Sequence, residues 1–323
     1  MTILVTGAAG FIGYHASKAL LERGERVIGL DCLSPYYDVG LKRARLARLA
    51  ARDGFSFEQI DLGDHEAATR FMIDAEPERI LHLAAQAGVR YSLEAPFAYT
   101  RANVTGHLAV LEAARALGDR LAHLVYASSS SVYGERPGAF READAADAPV
   151  SLYAATKRAD ELMSAAYTHL YGLPQTGLRF FTVYGPWGRP DMAYWLFADA
   201  MLEGETIRLF NHGRNERDFT YIDDVIAPLL RVLDDAPGPR NEVYNIGGSN
   251  PVETRALVEA LEAELGVDAK IETVGPQPGD VTHTCADVTK LKADYGAVPE
   301  TPLAEGVARF AEWFREYREG GST

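Results

Sequence analysis

The chain has 323 residues, of which 47% are hydrophobic and 24% are charged, a composition that is ordinary for a globular protein with a sizeable core. No run approaches the ~20 apolar residues that a membrane span needs, so we expect no membrane partner. The formal net charge of −14 repels phosphate backbones and argues against a nucleic-acid partner. The two cysteines, Cys32 and Cys285, give no disulfide framework, and the apolar run at Ile3 leaves no room for a secretion signal, so we expect a cytoplasmic protein.

The first half of the chain alternates short β-branched runs with amphipathic helical stretches, which is typical of βαβ units. The predicted strands are Ile3–Val5, Arg26–Leu30, Ser56–Gln59, Arg79–Leu83, His123–Ala127 and Gln175–Phe180. The predicted helices are Gly13–Arg23, Asp38–Arg52, His65–Ala75, Val104–Leu117 and Tyr153–Tyr171. Right-handed crossovers would join these elements into an α/β fold with a doubly wound parallel sheet of the Rossmann type.

From about Tyr184 this rhythm breaks into turns rich in glycine and proline, with shorter elements between them. We therefore expect a Rossmann domain over residues 1–182 and 216–247, and a smaller, irregular C-terminal substrate-binding domain over residues 183–215 and 248–323. Near the end of the chain a set of apolar residues keeps helical spacing, which favours core packing over a partner site. This set is Leu303, Val307, Phe310, Phe314 and Tyr317.

Three glycines follow the first predicted strand and open the first predicted helix, in the pattern GxxGxxG. Gly7 would permit the tight turn, Gly10 would let the backbone approach a pyrophosphate, and Gly13 would let helix and strand pack closely. Asp31 ends the second strand, where a carboxylate accepts hydrogen bonds from a ribose diol and repels a 2′-phosphate. The pattern predicts a dinucleotide site that prefers NAD to NADP.

A phenol and an ammonium lie four residues apart on one predicted helix, at Tyr153 and Lys157. Four serines, Ser128–Ser131, end the preceding strand at the carboxyl edge of the sheet, where open α/β folds bind ligands. A lysine cation beside the phenol stabilises its phenolate, so Tyr153 could take a proton from a sugar hydroxyl while Ser129 shares the hydrogen bond.

With these motifs, the sequence resembles the extended short-chain dehydrogenase/reductases, in the NAD-dependent nucleotide-sugar epimerase and dehydratase family. The resemblance covers essentially the whole chain. It rests on TGAAGFIG at 6–13, HLAAQAGVRYS at 82–92, YASSSSVYG at 126–134, YAATK at 153–157, LRFFTVYGPWGRPDMA at 178–193 and RDFTYIDD at 217–224. Within the family, the run YYDVGLKRARL at 36–46 together with GVRYS and GRPDMA looks most like UDP-glucuronate 4-epimerases.

The resemblance implies a set of site residues. The catalytic residues would be Ser129, Tyr153 and Lys157. NAD would be lined by Gly7, Gly10, Phe11, Ile12, Gly13, Asp31, Asp61, Leu62, Ala84, Ala85, Tyr153, Lys157 and Phe180. The nucleotide sugar would meet Phe210 at uracil, Arg217 at the diphosphate and Asp280 at the ribose, whereas Asn103 would brace a helix. For Asp61, an ordinary helix cap is the alternative to a contact with adenine.

A 4-epimerase of this kind passes a hydride from C4 of the sugar to NAD⁺ and returns it to the other face of the 4-keto intermediate. Family dehydratases carry an Asp-Glu pair where this chain has Ser130 and Ser131. UDP-glucuronate decarboxylases usually have a Glu at the position of Ser131. Galactose-type 4-epimerases tend to have Asn at the position of Thr182, which suggests a carboxylate at C6 of the substrate. UDP-glucose or UDP-N-acetylglucosamine 4-epimerases, UDP-glucuronate decarboxylases, a redox dehydrogenase and an NAD-sensing Rossmann protein stay open as alternatives.

Oxidation of a hexuronate at C4 gives a β-keto acid, which loses CO₂ readily when its carboxylate is perpendicular to the carbonyl. We expect the hydroxyls of Ser130, Ser131 and Thr182 to hold the carboxylate near the carbonyl plane. Arg90 and Arg189 could attract the carboxylate or order their own loops, and the sequence does not choose between these roles. The helices at 104–117 and 153–171 resemble those that pair in family dimers, so a homodimer is expected.

Overall fold

The computed structural model describes residues 1–276, 280–296 and 300–320. These residues form two compact units. The first unit comprises Met1–Gly134, Ala145–Phe180 and Ile226–Tyr244, and the second comprises Glu135–Asp144, Phe181–Val225 and the described residues from Asn245 onwards. No helix in the described parts of the chain is long and apolar enough to cross a membrane.

The elements up to the middle of the chain are β1 (Thr2–Thr6), α1 (Phe11–Glu22), β2 (Arg26–Asp31), α2 (Val39–Ala50), β3 (Phe55–Gln59), α3 (His65–Asp74), β4 (Arg79–His82), α4 (Tyr91–Glu94), α5 (Pro96–Tyr99), α6 (Gly106–Leu117), β5 (His123–Ser129), α7 (Leu152–Tyr171) and β6 (Gln175–Phe180). They are followed by β7 (Thr182–Tyr184), α8 (Ala193–Leu202), β8 (Thr206–Phe210), β9 (Glu216–Arg217), β10 (Phe219–Tyr221), α9 (Ile222–Asp234), β11 (Asn241–Ile246), β12 (Val252–Glu253), α10 (Thr254–Leu265), β13 (Lys270–Val274), α11 (Thr289–Tyr295) and α12 (Leu303–Glu319).

The central sheet has seven strands in the order β11-β6-β5-β4-β1-β2-β3. The six strands from β6 to β3 pair in parallel, so their carboxyl ends lie at one edge. The strand order reverses between β1 and β4, since β2 and β3 lie on one side of β1 and β4 and β5 on the other. This is the switch point at which doubly wound folds bind ligands. The predicted fold class is confirmed.

The core of the first unit lies on the faces of this sheet. Ile3, Leu4 and Val5 of β1 are fully buried, as expected for a central parallel strand that is covered on both faces. One large cluster joins β1, β4 and β5 to α3 and α6 through Leu4, Ile80, Leu124, Met72 and Val110.

The predicted strands match the observed ones to within two residues at each end, and β6 has the predicted bounds. The helix predicted from Val104 instead begins at Gly106, because Thr100–Thr105 form a π-helical segment ahead of it. The short helices α4 and α5 were not predicted; four residues are too few to show a helical period.

The second unit has its own core, formed largely by aromatic side chains. Phe310 and Phe314 of α12 are buried, and both contact Trp195 of α8. Tyr317 stacks on Trp313 at a ring-centroid distance of 5.1 Å. The predicted apolar stripe at the end of the chain is thus confirmed as core packing.

Candidate active site

The glycine-rich turn between β1 and α1 is held by contacts that exclude a side chain at two positions. Gly7 has φ +71°, and a Cβ there would lie 2.8 Å from the backbone nitrogen of Ala84. A Cβ on Gly13 would lie 2.0 Å from the carbonyl oxygen of Gly7, so this close approach of helix and turn requires glycine. Gly10 is the N-cap of α1, and Phe11 and Ile12 are its first residues.

Asp31 ends β2 beside this turn and is 8% exposed. Its carboxylate accepts hydrogen bonds from the backbone nitrogens of Ala9, at 3.1 Å, and Leu33, at 2.8 Å. Burial raises the pKa of Asp31, while the two backbone donors and the charges of Lys42 and Arg45 oppose that shift. A buried acceptor at the end of β2, next to a turn that only glycines permit, fits the ribose and pyrophosphate of a dinucleotide such as NAD.

The fully buried Arg45 of α2 was missed by the sequence analysis. Its guanidinium donates to the carbonyl of Ala9 at 2.9 Å and to the hydroxyl of Tyr37 at 2.8 Å, and it so ties α2 to the glycine-rich turn. The sequence does not indicate this contact, because Arg45 is one of several basic residues on a helix with an amphipathic pattern.

Four more of the residues predicted to line NAD follow the carboxyl ends of β3 and β4. The carboxylate of Asp61 accepts from the backbone nitrogen of Gly63 at 2.8 Å and pairs with Arg101 at 2.9 Å, so it orders this turn. Leu62 is buried, and Ala84 donates its backbone N–H to the hydroxyl of Thr6 at 3.1 Å. Ala85 directly follows, half-buried. Their contacts to a cofactor stay a prediction.

Ser129 is the last residue of β5, is 7% exposed and lies opposite Phe180 of β6 in the sheet register. Its hydroxyl oxygen accepts the backbone N–H of Ser131 at 3.2 Å, which leaves the hydroxyl hydrogen able to donate elsewhere. Ser130 and Ser131 begin a single 3₁₀ turn, and both are half-buried. The sheet therefore fixes Ser129, the serine that the sequence predicts to be catalytic, at the carboxyl edge.

Tyr153 and Lys157 lie in the first two turns of α7, whose N-terminus is capped by the hydroxyl of Ser151. Tyr153 is half-buried and Lys157 is 2% exposed. Asn103, in the π-helical segment, donates from its side-chain nitrogen to the hydroxyl of Thr156 at 2.9 Å and accepts from the backbone nitrogen of Gln86 at 2.8 Å. Its predicted bracing role is confirmed, and it acts on the turn of α7 between the two catalytic candidates.

A buried network of charged side chains lies next to the same edge of the sheet. Glu161 of α7 accepts from Ser128 at 2.6 Å, from Arg158 at 2.8 Å, and from two nitrogens of Arg179, each at 2.8 Å. Burial by itself raises the pKa of Glu161, but the hydrogen bonds and charge of Arg179, with those of Ser128 and Arg158, hold it below its usual value. The network thus links α7 to the ends of β5 and β6.

The remaining predicted substrate residues fall in the second unit, apart from Arg90, an exposed residue ahead of α4 in the first. Arg217 pairs with Asp280 at 2.8 Å, so two residues that were predicted to bind neighbouring parts of a nucleotide lie together. Phe210 ends β8, with the guanidinium of Arg208 at 5.8 Å from its ring centroid. Arg189 pairs with Asp191.

Thr182 begins β7 and donates its backbone N–H to the carbonyl of Asp218 at 3.1 Å, so the strand fixes its position while its side chain stays half-buried.

Comparison with known proteins agrees with this geometry. Residues 3–247 match the NAD dependent epimerase/dehydratase family. An uncharacterised 37.6 kDa protein of Escherichia coli O111:H- is 50% identical, covering 98% of this chain and 99% of that protein. A probable UDP-glucuronate 4-epimerase of Rhizobium meliloti is 46% identical, covering 100% of both. The crystal structure of UDP-glucuronic acid 4-epimerase from Bacillus cereus, in complex with UDP-glucuronic acid and NAD, is 33% identical, covers 98% of this chain and 99% of that chain, and superposes with a TM-score of 0.92. The chain belongs to the NAD-dependent epimerase/dehydratase family.

Proposed function

We propose that this protein is a UDP-glucuronate 4-epimerase that interconverts UDP-glucuronic acid and UDP-galacturonic acid with bound NAD. The observation that carries the proposal is end-to-end similarity to proteins named for this activity, in a chain that has serines where family decarboxylases and dehydratases carry acids. The NAD-binding residues would be the glycine-rich turn, Asp31, and the strand-end residues described above.

In this proposal Tyr153 is the acid–base group and acts on the C4 hydroxyl of the sugar. Ser129 donates a hydrogen bond to the same oxygen, and the Lys157 cation stabilises the phenolate form of Tyr153. NAD, when bound, supplies the hydride acceptor and donor at C4. Tyr153 returns its proton to the oxygen after the sugar has presented its other face, so the protein ends the cycle in its starting protonation state.

The nucleotide would bind to the second unit, with Phe210 against uracil, Arg217 at the diphosphate and Asp280 at the ribose. A guanidinium matches phosphate oxygens in both charge and geometry. Arg217 is 14% exposed and is already positioned by Asp280 and by the carbonyl of Val281 at 2.6 Å. Such positioning lowers the entropy that binding must offset.

Proton NMR of the purified protein with UDP-glucuronic acid and NAD⁺ tests the proposal by following the anomeric signals over time. We expect UDP-galacturonic acid to grow without UDP-xylose. Formation of UDP-xylose or a 4-keto pentose would make the protein a decarboxylase. No change in UDP-glucuronic acid, with turnover of UDP-glucose or UDP-N-acetylglucosamine, would make it a 4-epimerase of neutral sugars.

Replacing Thr182 by valine should raise the UDP-pentose fraction of the product. The change keeps the β-branched shape but removes a hydroxyl that we propose holds the uronate carboxylate near the plane of the C4 carbonyl. Losing a hydrogen bond to a charged group removes ~1.5–3 kcal/mol, enough to raise the decarboxylated fraction about tenfold. The product ratio is read by the same NMR assay.

Thr273→Val is the matched control, because Thr273 is an exposed strand residue of the same unit. Its product ratio should equal that of the unmodified protein. A Thr182→Val variant with an unchanged ratio would remove Thr182 from the carboxylate site and leave the serines at 130 and 131 to be tested.

We also propose that two copies pair through α6 and α7, in the cytoplasm, where the free thiols of Cys32 and Cys285 stay reduced. Leu108, Leu162 and Leu170 expose 39%, 56% and 63% of their surface on these two helices. Exposed leucines on adjacent helices favour a helix-packed dimer interface.

Leu162→Glu should convert the dimer into a folded monomer, because two glutamates would be buried in the symmetric interface. Light scattering behind size-exclusion chromatography measures the mass. Leu196→Glu is the control: Leu196 is 47% exposed on α8, outside the proposed interface, and its replacement should leave the mass unchanged. A monomeric starting protein would contradict the dimer proposal.

A further inference from the structure

The ammonium of Lys157 has a charged partner that no sequence motif indicated. Its Nζ donates to Oδ2 of Asp160 at 2.8 Å, one helical turn further along α7. The side chains of Lys157 and Asp160 are 2% and 1% exposed. Oδ1 of Asp160 has no hydrogen-bond partner among the described residues. The carboxylate is therefore bound to its surroundings mainly through Lys157.

Burial disfavours the charged form of a lysine, and a buried lysine without a counter-ion gives up its proton near neutral pH. A neutral amine would no longer stabilise the phenolate of Tyr153, and its hydrogen bonds to a ribose hydroxyl would be weaker than those of an ammonium. A carboxylate at 2.8 Å opposes this loss of charge. The pairing also limits the rotation of the Lys157 side chain.

We infer that Asp160 is a positioning residue, the buried counter-ion that keeps the Lys157 ammonium charged and restricts where it lies on α7. The inference rests on the proposed catalytic role of Lys157. It assigns to the chain a third functional residue on α7, after Tyr153 and Lys157, at spacing i, i+4, i+7 on one face of the helix. It predicts that the range of pH over which NAD binds tightly depends on Asp160.

The other titratable groups around the pair do not change charge over the same range. Burial, reinforced by the charge of Lys157, lowers the pKa of His82 on β4 to about 3. Burial, then the nearby His82 and Lys157, lower the pKa of His107 on α6 well below its usual value. Burial raises the pKa of Tyr126 on β5, with the charge of Glu161 adding to it. All three side chains are neutral from about pH 6 to pH 10.

On α7 itself, the pair has Tyr153 on one side and Glu161 on the other. Glu161 stays ionised, because its partners Arg179 and Ser128 oppose the effect of burial on its pKa. Burial raises the pKa of Asp160 to about 6, against the charge of Lys157, so this carboxyl is ionised at the neutral and alkaline pH of the test. Lys157 is therefore the group whose buried charge is left without a counter-ion when Asp160 is replaced.

The test is calorimetric titration of the full-length protein with NAD⁺ from about pH 6.5 to pH 9.5, for the unmodified chain and Asp160→Asn. Asparagine has the same shape and no charge. We expect the two affinities to agree within about twofold at the acid end, and Asp160→Asn to bind at least about fivefold more weakly at the alkaline end. The alkaline limb of the kcat profile should move down by about one pH unit, with KM for the sugar unchanged.

Glu161→Gln is the matched control: it removes the charge of another buried carboxylate on α7, one that pairs with Arg179 instead of Lys157. Any loss of NAD affinity in Glu161→Gln should be the same at every pH. An Asp160→Asn protein whose NAD⁺ affinity equals that of the unmodified chain at every pH would overturn the inference. So would an affinity that is lower by the same factor at every pH, because that is the result a purely structural role of Asp160 gives.

A stability cycle gives a second readout that does not need bound NAD. Lys157→Met leaves the buried Asp160 carboxylate uncompensated, so it should lower the urea midpoint, and adding Asp160→Asn should raise that midpoint again. A double variant no more stable than Lys157→Met would also overturn the inference. Because NAD titration and unfolding require no turnover, failure of the proposed epimerase activity would be seen separately, in the NMR assay.

Discussion

Replacing Tyr153 by phenylalanine should lower kcat for UDP-glucuronate epimerisation by about 10³-fold while NAD⁺ affinity changes by less than about threefold. General acid–base groups contribute about 10²–10⁴-fold, and here one hydroxyl both takes and returns the proton. The ring is kept, so its edge contact with Tyr99, at a centroid distance of 6.1 Å, should persist. The NMR assay gives kcat, and calorimetry gives the NAD⁺ affinity.

Tyr167→Phe is the matched control, because Tyr167 lies on the same helix and its hydroxyl donates to Glu112 at 2.6 Å, away from the catalytic candidates. Its kcat should stay within about twofold of the unmodified value, since a partly exposed hydrogen bond contributes only ~1 kcal/mol to stability and nothing to the chemical step. A Tyr153→Phe enzyme with more than about a tenth of normal kcat would show that another group moves the proton.

The sequence was most informative where local chemistry and spacing act together. β-branched runs gave the central strands, because a parallel strand buried on both faces must be apolar along its length. The glycines at 7 and 13 were interpretable because each fits a position where a Cβ would strike backbone. Tyr153 and Lys157 were found from the i, i+4 spacing of a helix face next to a strand end rich in serine.

The buried charge partners could not be predicted, because they depend on which elements the fold brings together. Asp160 and Glu161 read as ordinary polar positions of an amphipathic helix. A signal existed for Arg179, because it lies in the strand Gln175–Phe180, which the fold predicts to be covered on both faces. A cation in a buried strand needs a partner, but the sequence does not say that the partner is Glu161. The π-helical segment that contains Asn103 likewise leaves no periodic pattern in the sequence.

Replacing Arg179 by methionine should lower the free energy of unfolding by about 3 kcal/mol at pH 7.5, measured by urea denaturation. Methionine fills much of the volume, but the change leaves the buried carboxylate of Glu161 without its two-point partner, and breaking such a pair costs ~3–5 kcal/mol. The lower end of that range applies because Arg158, with 27% of its side chain exposed, still pairs with Glu161 at 2.8 Å. The loss would loosen the ends of β5 and β6 together, and with them Ser129.

The pH dependence distinguishes this electrostatic cause from lost packing. In the unmodified chain the pKa of Glu161 is lowered, so its contribution to stability is present above the unfolded pKa of ~4.3 and is lost as pH falls through the folded value. Without Arg179, burial should raise the pKa of Glu161. Protonation of the carboxyl in acid then removes the cost of an unpaired buried charge in the variant. The stability gap between the two proteins should therefore narrow as pH falls from 7.5 toward about 5; a constant gap would mean that packing dominates. Arg23→Met removes an exposed pair with Asp234 at 2.8 Å and should cost less than ~1 kcal/mol at either pH.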